Sequence, residues 1–79
     1  MIRPITSRKI LGQVLREARK EKQWSQADLG KMTNIPQTNI SALEVGRTDG
    51  RFDTIFRLAS ALDLEIVLQP KESRNEGNW

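Results

Sequence analysis

The chain has 79 residues, a mass of 9.0 kDa and a formal net charge of +3, which is the size of one small domain. It contains no cysteine and no histidine, so it cannot form a disulfide or assemble the usual zinc ligand sets, and neither an enzyme nor a cofactor-binding protein is expected. Because so small a core gives little stability by itself, we expect the domain to oligomerise.

The charged residues are distributed unevenly along the chain. Residues 1–22 carry a net charge of +5, whereas residues 52–79 carry −2. A basic half suits phosphates, and an ordinary solvated surface is the alternative interpretation. No apolar run approaches ~18 residues and the first residues lack the apolar stretch of a signal peptide, so we expect a soluble cytoplasmic protein with no membrane partner.

A first helix is predicted over residues 7–22, with Thr6 or Ser7 as its cap. Four apolar residues recur there at the spacing of one helical face: Leu11, Val14, Leu15 and Ala18.

A second helix is predicted over residues 26–32. Ser25 can cap it, and the Asp28 carboxylate can reach back to complete a capping box. Trp24 and Leu29 hold the two positions of a hydrophobic staple.

A tight turn and a third helix follow directly. Residues 33–35 form the turn, in which Asn34 tolerates a left-handed backbone. Pro36 fits the first turn of a helix that continues to residue 45 with Ile40 and Leu43 facing inward, and Gly46 ends it. Two short helices with this spacing are typical of a helix-turn-helix, whose second helix reads DNA in the major groove.

A loop over residues 46–53 contains the turn signal Asp49-Gly50 and leads to a fourth helix, capped by Asp53 or the residues before it. Its core face is predicted to contain five apolar residues: Phe52, Ile55, Phe56, Ala59 and Leu62.

Residues 64–69 are predicted to form a strand because they are short and alternate, although a helix also fits their pattern. The apolar side chains of this strand are Leu64, Ile66, Val67 and Leu68. A lone strand has unpaired backbone groups, so we expect it to pair with the same strand of a second subunit; a frayed extension is the alternative.

Residues 70–79 are predicted to be a disordered polar tail, which leaves residues 1–69 as the folded domain. The tail ends in Trp79, an aromatic side chain that could anchor a partner or be an accidental last residue.

Five short motifs stand in the order found in a known family. They are LREAR at residues 15–19, WSQADLG at 24–30, IPQTNIS at 35–41, LEVGR at 43–47 and LASAL at 58–62. Over roughly residues 8–63 the chain therefore resembles the Cro/C1-type helix-turn-helix family. It departs from the family pattern at Asn34, where glycine is usual, and at Pro36, where serine or threonine is usual. The resemblance implies a mainly α, lambda-repressor-like bundle of four helices, here followed by a C-terminal β-strand that pairs across a homodimer.

The resemblance also implies roles for individual residues, position by position. Base edges would be read by Gln37, Thr38, Ser41 and Ala42. Phosphate or backbone contacts would come from Gln26, Asn39, Arg47 and Thr48. Arg19 and Glu44 match a partly buried salt bridge between helices 1 and 3, so Arg19 is expected to be structural.

More narrowly, residues 62–68 (LDLEIVL), followed by a polar tail, resemble the end of HipB-like antitoxins. That resemblance implies a homodimer that represses its own operon through a palindromic, inverted-repeat operator in double-stranded DNA and binds a HipA-like serine/threonine kinase toxin. Three alternatives stay open: a stand-alone phage-type repressor, an antitoxin that acts mainly by holding its toxin, and a module used only for protein interaction.

Overall fold

The computed structural model describes residues 3–71, so what was predicted for residues 72–79, including the anchor Trp79, lies outside the described residues. Four helices run in chain order: α1 (Arg8–Glu21), α2 (Gln26–Thr33), α3 (Gln37–Glu44) and α4 (Phe52–Ala61). The prediction of a mainly α bundle of four helices is confirmed. Along residues 3–71, no helix is long and apolar enough to cross a membrane.

The starts of α1 and α2 are fixed by local hydrogen bonds. The Ser7 hydroxyl accepts from the Ile10 amide at 3.2 Å. Ser25 and Asp28 form the complete capping box, with the Asp28 amide donating to the Ser25 hydroxyl and the Ser25 amide donating to the Asp28 carboxylate, both at 2.9 Å. These bonds satisfy amides that a helix leaves unpaired at its first turn. The hydrogen bonds with the backbone and side chain of Ser25 also lower the pKa of the Asp28 carboxyl.

One predicted helix start is wrong, and for another the structure selects one of the two predicted alternatives, a cap before Asp53. Pro36 is the N-cap of α3 and not part of its first turn, because its ψ of 139° is extended. The N-cap of α4 is Arg51, which makes no side-chain capping bond. Asp53 lies inside α4, where its carboxylate accepts from the amide of Thr54.

The core lies between all four helices. Seven buried residues form one cluster: Leu15, Leu29, Ile35, Ile40, Leu43, Leu58 and Leu62. Trp24 packs against it from the edge, next to the start of α2. Gly12 allows α1 to cross α3 closely, since a Cβ at this position would collide with the carbonyl oxygen of Leu43 and lie 2.6 Å from that of Glu44.

The predicted core face of α4 is partly wrong. Ile55, Ala59 and Leu62 are buried, but Phe52 is 75% exposed and Phe56 is 53% exposed. Their rings stack on each other, with centroids 5.9 Å apart. They are one helical turn apart on a face that the other helices leave largely uncovered. Periodicity alone does not distinguish that face from the neighbouring buried one.

Residues 64–71 follow α4 without regular secondary structure. The Leu64 amide donates to the Ala59 carbonyl at 2.8 Å, and the Leu64 side chain packs against the core. Beyond it, residues 65–70 make no backbone hydrogen bond with any other described residue. Because a strand is defined by its pairing, the predicted strand and its pairing across a homodimer stay predictions.

Candidate DNA-binding surface

The first two turns of α3 present polar side chains outward. Gln37, Thr38 and Asn39 are exposed, and Ser41 and Ala42 are half-buried behind them. The opposite face of the helix buries Ile40, Leu43 and Glu44. The residues assigned to base reading therefore share one outward surface, which we call the reading surface: Gln37, Thr38, Ser41 and Ala42.

The angle between α2 and α3 is set by the turn. Asn34 has φ +60° and is the left-handed C-cap of α2, as predicted. The amide of Ile35 donates back to the Gly30 carbonyl at 3.2 Å, and Ile35 itself is buried in the core. Gly30 leaves room for this return, because a Cβ there would lie 2.9 Å from the Ile35 carbonyl oxygen. The departure of Asn34 from glycine thus leaves the turn intact.

A buried ion pair joins α1 to α3 beneath the reading surface. Arg19 Nε and Nη2 donate to the two carboxylate oxygens of Glu44 at 2.8 and 2.9 Å, and the two side chains are only 9% and 2% exposed. Arg19 Nη1 also donates to the Trp24 carbonyl at 2.8 Å, which ties the pair to the start of α2. Such two-pronged pairs hold geometry well.

The ionisation of this pair is mutually favoured. Burial alone would raise the pKa of Glu44, but hydrogen bonds from Arg19 and Gln26 outweigh burial, so the pKa is lowered. The pKa of Arg19 is raised by its hydrogen bond to Glu44. Both groups are therefore charged at neutral pH.

Gln26, assigned to phosphate contact, extends the ion pair toward the reading surface. Its Nε2 donates to Glu44 Oε1 at 3.0 Å, and its Oε1 lies 3.5 Å from Gln37 Nε2. A glutamine amide carries two N–H donors, so one remains for a phosphate oxygen. Gln26 therefore also lies beside Gln37, a contact that its place in the sequence does not indicate.

A cleft beside Gln26 is lined by three residues of α1 that were not predicted to belong to the site. The cleft has a volume of about 440 Å³ and is lined by Lys9, Gln13, Arg16, Gln26, Glu44 and Val45. Lys9, Gln13 and Arg16 recur at the spacing of one helical face. That spacing was visible in the sequence, but only the packing of α1 on α3 shows that this face adjoins α2.

Of the other predicted backbone contacts, Asn39 is exposed on α3, and two lie in the loop after that helix. Arg47 and Thr48 are exposed, and the Arg47 amide donates to the Ala42 carbonyl at 2.9 Å. The Thr48 hydroxyl accepts from the Gly50 amide at 3.2 Å, so this side chain also orders the loop. Gly46 has φ +77° and ends α3, as predicted. Its left-handed backbone turns the chain so that the Arg47 amide can bond to the Ala42 carbonyl of that helix.

A family model described as helix-turn-helix matches residues 15–69. The chain belongs to the Cro/C1-type helix-turn-helix family of DNA-binding transcriptional regulators. A curated relative, the uncharacterized HTH-type transcriptional regulator y4dL of Sinorhizobium fredii, is 40% identical over 60 residues, which are 76% of this chain and 31% of that protein. The chain thus spans about a third of the length of this relative.

Solved structures of HipB are similar to this chain over nearly its whole described length. A chain of a HipA–HipB–O2–O3 complex superimposes with a TM-score of 0.81 at 25% identity, covering 90% of this chain and 100% of that chain. A HipB variant in complex with an O2 20mer gives a TM-score of 0.82 at 26% identity, covering 91% and 100%. A HipB–O4 20mer complex is similar to the same degree.

Proposed function

We propose that this chain is a sequence-specific DNA-binding antitoxin and transcriptional repressor. It would bind a palindromic operator as a homodimer, autoregulate a toxin–antitoxin operon and bind a HipA-like kinase toxin. Residues 1–69 would form the DNA-binding and dimerisation domain, and residues 70–79 a tail available to the partner.

Base reading by α3 is supported mainly by a connected set of side chains, which runs from Arg19 through Glu44 and Gln26 to Gln37. It brings the side chain of Gln37, the first residue of α3, to within 3.5 Å of Gln26 before any ligand is bound. Pre-positioned polar groups lose less conformational freedom on binding. Gln37 can then bond an adenine edge, while Thr38 can donate, accept or touch a thymine methyl.

Affinity without sequence preference would come from the surroundings of the reading surface. The free N–H of Gln26 and the amides at the start of α2 suit one phosphate. The exposed Arg47, with Asn39 and Thr48, suits backbone on the other side of α3. Lys9 and Arg16, in the cleft beside Gln26, would add charge toward the same strand as Gln26.

Dimerisation is supported by the exposed side chains and the unpaired backbone of residues 65–68. Ile66, Val67 and Leu68 are 45%, 63% and 96% exposed, and their backbone is unpaired within the described residues. Pairing with the same segment of a second chain would satisfy that backbone and bury those side chains. Two reading surfaces would then enter major grooves one helical turn apart.

The toxin partnership rests on the likeness to HipB, which occurs in a complex with HipA among the similar structures. Leu64, Ile66, Val67 and Leu68 would belong to the dimer strand, and Trp79 would be an anchor for the kinase. A direct test is purification of the tagged full chain together with a kinase encoded next to it. A stable complex is expected for the antitoxin, and its absence would favour a repressor that acts alone.

DNA reading is tested by selecting sequences from random double-stranded DNA with the purified chain. We expect an inverted repeat whose half-sites lie ~34 Å apart along the helix axis. Enrichment of single, unpaired half-sites would contradict the dimer, and no enrichment at all would contradict sequence reading.

A further inference from the structure

One exposed apolar side chain borders the reading surface and lies outside the buried core. Val45 is 59% exposed, although it directly follows the buried Leu43 and Glu44. It is the C-cap of α3 and keeps a helical backbone, with φ −90° and ψ 0°. Its amide donates to the Ser41 carbonyl at 3.2 Å. The geometry of α3 therefore extends to Val45 and sets the direction of its side chain.

We propose that Val45 is a further specificity-determining residue, which contacts the 5-methyl group of a thymine in the operator. The inference rests on the proposed sequence-specific DNA binding and deepens it, because it names a base and the group on that base that α3 recognises. The 5-methyl group of thymine lies in the major groove, where apolar side chains contact it.

The spacing of residues places Val45 on the same helical face as the reading surface. Thr38, Ser41, Ala42 and Val45 stand at positions i, i+3, i+4 and i+7, which form one stripe along a helix. The recognition helix of homeodomains reads bases in the major groove with residues at this same spacing. Val45 thus extends the outward stripe by one turn toward the end of α3.

The charges around Val45 favour DNA as the ligand of this stripe. Lys9 and Arg16 are both exposed and line the same cleft of about 440 Å³ as Val45. Glu44 also lines the cleft, but its charge is compensated by the buried Arg19. The cleft therefore presents positive charge beside an apolar side chain. A base edge with its neighbouring phosphates matches this combination, whereas an apolar protein surface would leave both cations without partners.

The chemistry of valine selects the group on the base. The side chain of Val45 has no hydrogen-bond donor or acceptor, so it cannot bond the polar edges of guanine, cytosine or adenine. Its branched Cβ leaves one strongly preferred rotamer in a helix. The two methyl groups are therefore held in place before DNA is bound, which lowers the entropy lost on contact. A thymine methyl is the major-groove group that such a side chain fits.

The position of Val45 in α3 also limits where the thymine lies in the half-site. Val45 stands eight residues after Gln37, which is about 12 Å along a helix. Successive base pairs are about 3.4 Å apart. We therefore expect the thymine within about four base pairs of the base pair that Gln37 reads.

The experiment measures the affinity of the purified full chain for its selected operator. Each thymine of one half-site is replaced in turn by deoxyuridine, which lacks only the 5-methyl group. For the wild type, we expect one replacement to weaken binding about fourfold, the effect of burying one methyl group. Val45→Ala should weaken binding to the thymine operator by about fourfold or more. The same replacement should then cost Val45→Ala less than about 1.5-fold, because non-additive losses indicate direct contact.

The matched control is Met32→Ala, which shortens another exposed apolar side chain. Met32 is 51% exposed and lies near the C-terminal end of α2. This variant should lose the same factor as the wild type when the thymine is replaced. Circular dichroism verifies that the helices are intact in both variants.

The outcomes separate the role of Val45 from the proposed function. A chain that selects no sequence from random DNA contradicts sequence reading and overturns both. A chain that selects an operator still reads DNA, but the role of Val45 is overturned if the wild type and Val45→Ala lose the same factor at every replaced thymine. Equal weakening of operator and random DNA by Val45→Ala also overturns it, since Val45 then contacts only the backbone. Unchanged affinity of Val45→Ala overturns it as well and leaves the cleft to a protein partner.

Discussion

The two halves of this domain solve the problem of small size differently. The half formed by α1, α2 and α3, which we call the braced half, is closed by side-chain bonds within the chain, above all Arg19 with Glu44. The half formed by α4 and residues 64–70, the open half, leaves large apolar side chains in solvent. Polar ligands need groups fixed in advance, whereas an apolar surface is completed by what packs on it. We therefore expect DNA to bind the braced half and a protein to pack on the open half.

Breaking the ion pair should give the largest effect on the braced half. Glu44→Gln removes the charge opposite the buried Arg19, and an uncompensated buried charge costs about 3–5 kcal/mol. The free energy of unfolding from urea titration measures the loss. Asp63→Asn, which breaks the pair of Lys22 with the 80% exposed Asp63, is the control and should cost less than about 1 kcal/mol. Equal losses of unfolding free energy in the two variants would mean that the buried pair of Arg19 and Glu44 stabilises the domain no more than an exposed pair does.

The close crossing of α1 and α3 can be tested by a single methyl group. Gly12→Ala would place a Cβ against the carbonyl oxygens of Leu43 and Glu44, and overpacking of this kind costs about 1–3 kcal/mol. The helix preference of alanine over glycine acts in the opposite direction and is weaker, about 1 kcal/mol. Gln13→Ala, exposed on the same helix, should be nearly neutral in the same unfolding experiment. A stabilised Gly12→Ala variant would contradict the crossing.

The ion pair also makes stability depend on pH. The pKa of Glu44 is lower in the folded chain than its ordinary value, so the stabilisation is complete above about pH 5 and is lost as pH falls through the folded-state pKa. Urea titrations at pH 7 and pH 3 should show a larger loss for the wild type than for Glu44→Gln. Parallel losses would mean that other carboxyls cause the whole dependence.

The cleft beside Gln26 is expected to contribute to DNA affinity through Arg16. Arg16→Gln should weaken binding to operator and random DNA alike and reduce the slope of log affinity against log salt by about 0.9, the effect of one phosphate contact. The control is Lys31→Gln, because Lys31 is exposed on α2 at about 140° around the helix from Gln26. An unchanged slope for Arg16→Gln would remove α1 from the DNA surface.

Local signals in the sequence predict most of the helix ends in the braced half. The caps Ser7 and Ser25, the left-handed Asn34 and the end of α3 at Gly46 each depend on residues within one turn, and the structure has all four. The prediction for Pro36 is wrong because a proline fits both a cap and a first turn. Of the two alternatives for the cap of α4, the residues before Asp53 are right, because an aspartate near a helix start caps only from one position.

The open half was harder because its pattern depends on contacts between distant segments. Phe52 and Phe56 fit a helical apolar stripe, but the stripe is wider than the face that α1 and α2 cover. In the braced half, the place of Arg16 in the cleft depends likewise on how α1 packs on α3, and the bond from Gln26 to Glu44 depends on how α2 packs on α3. The spacing of residues along one helix predicts which face of the helix each residue lies on. It does not predict which other element packs against that face.

We expect Gln37 to read bases from its position beside Gln26, which is bonded to Glu44. The most direct measurement is the affinity of Gln37→Ala for a selected operator and for random DNA, beside Gln26→Ala on both. Gln37→Ala should lose about 1–3 kcal/mol on the operator, as for one two-pronged base contact, and almost nothing on random DNA. Gln26→Ala should weaken both, with an added loss on the operator because it also releases Gln37. Equal losses for Gln37→Ala on operator and random DNA would mean that Gln37 does not read bases.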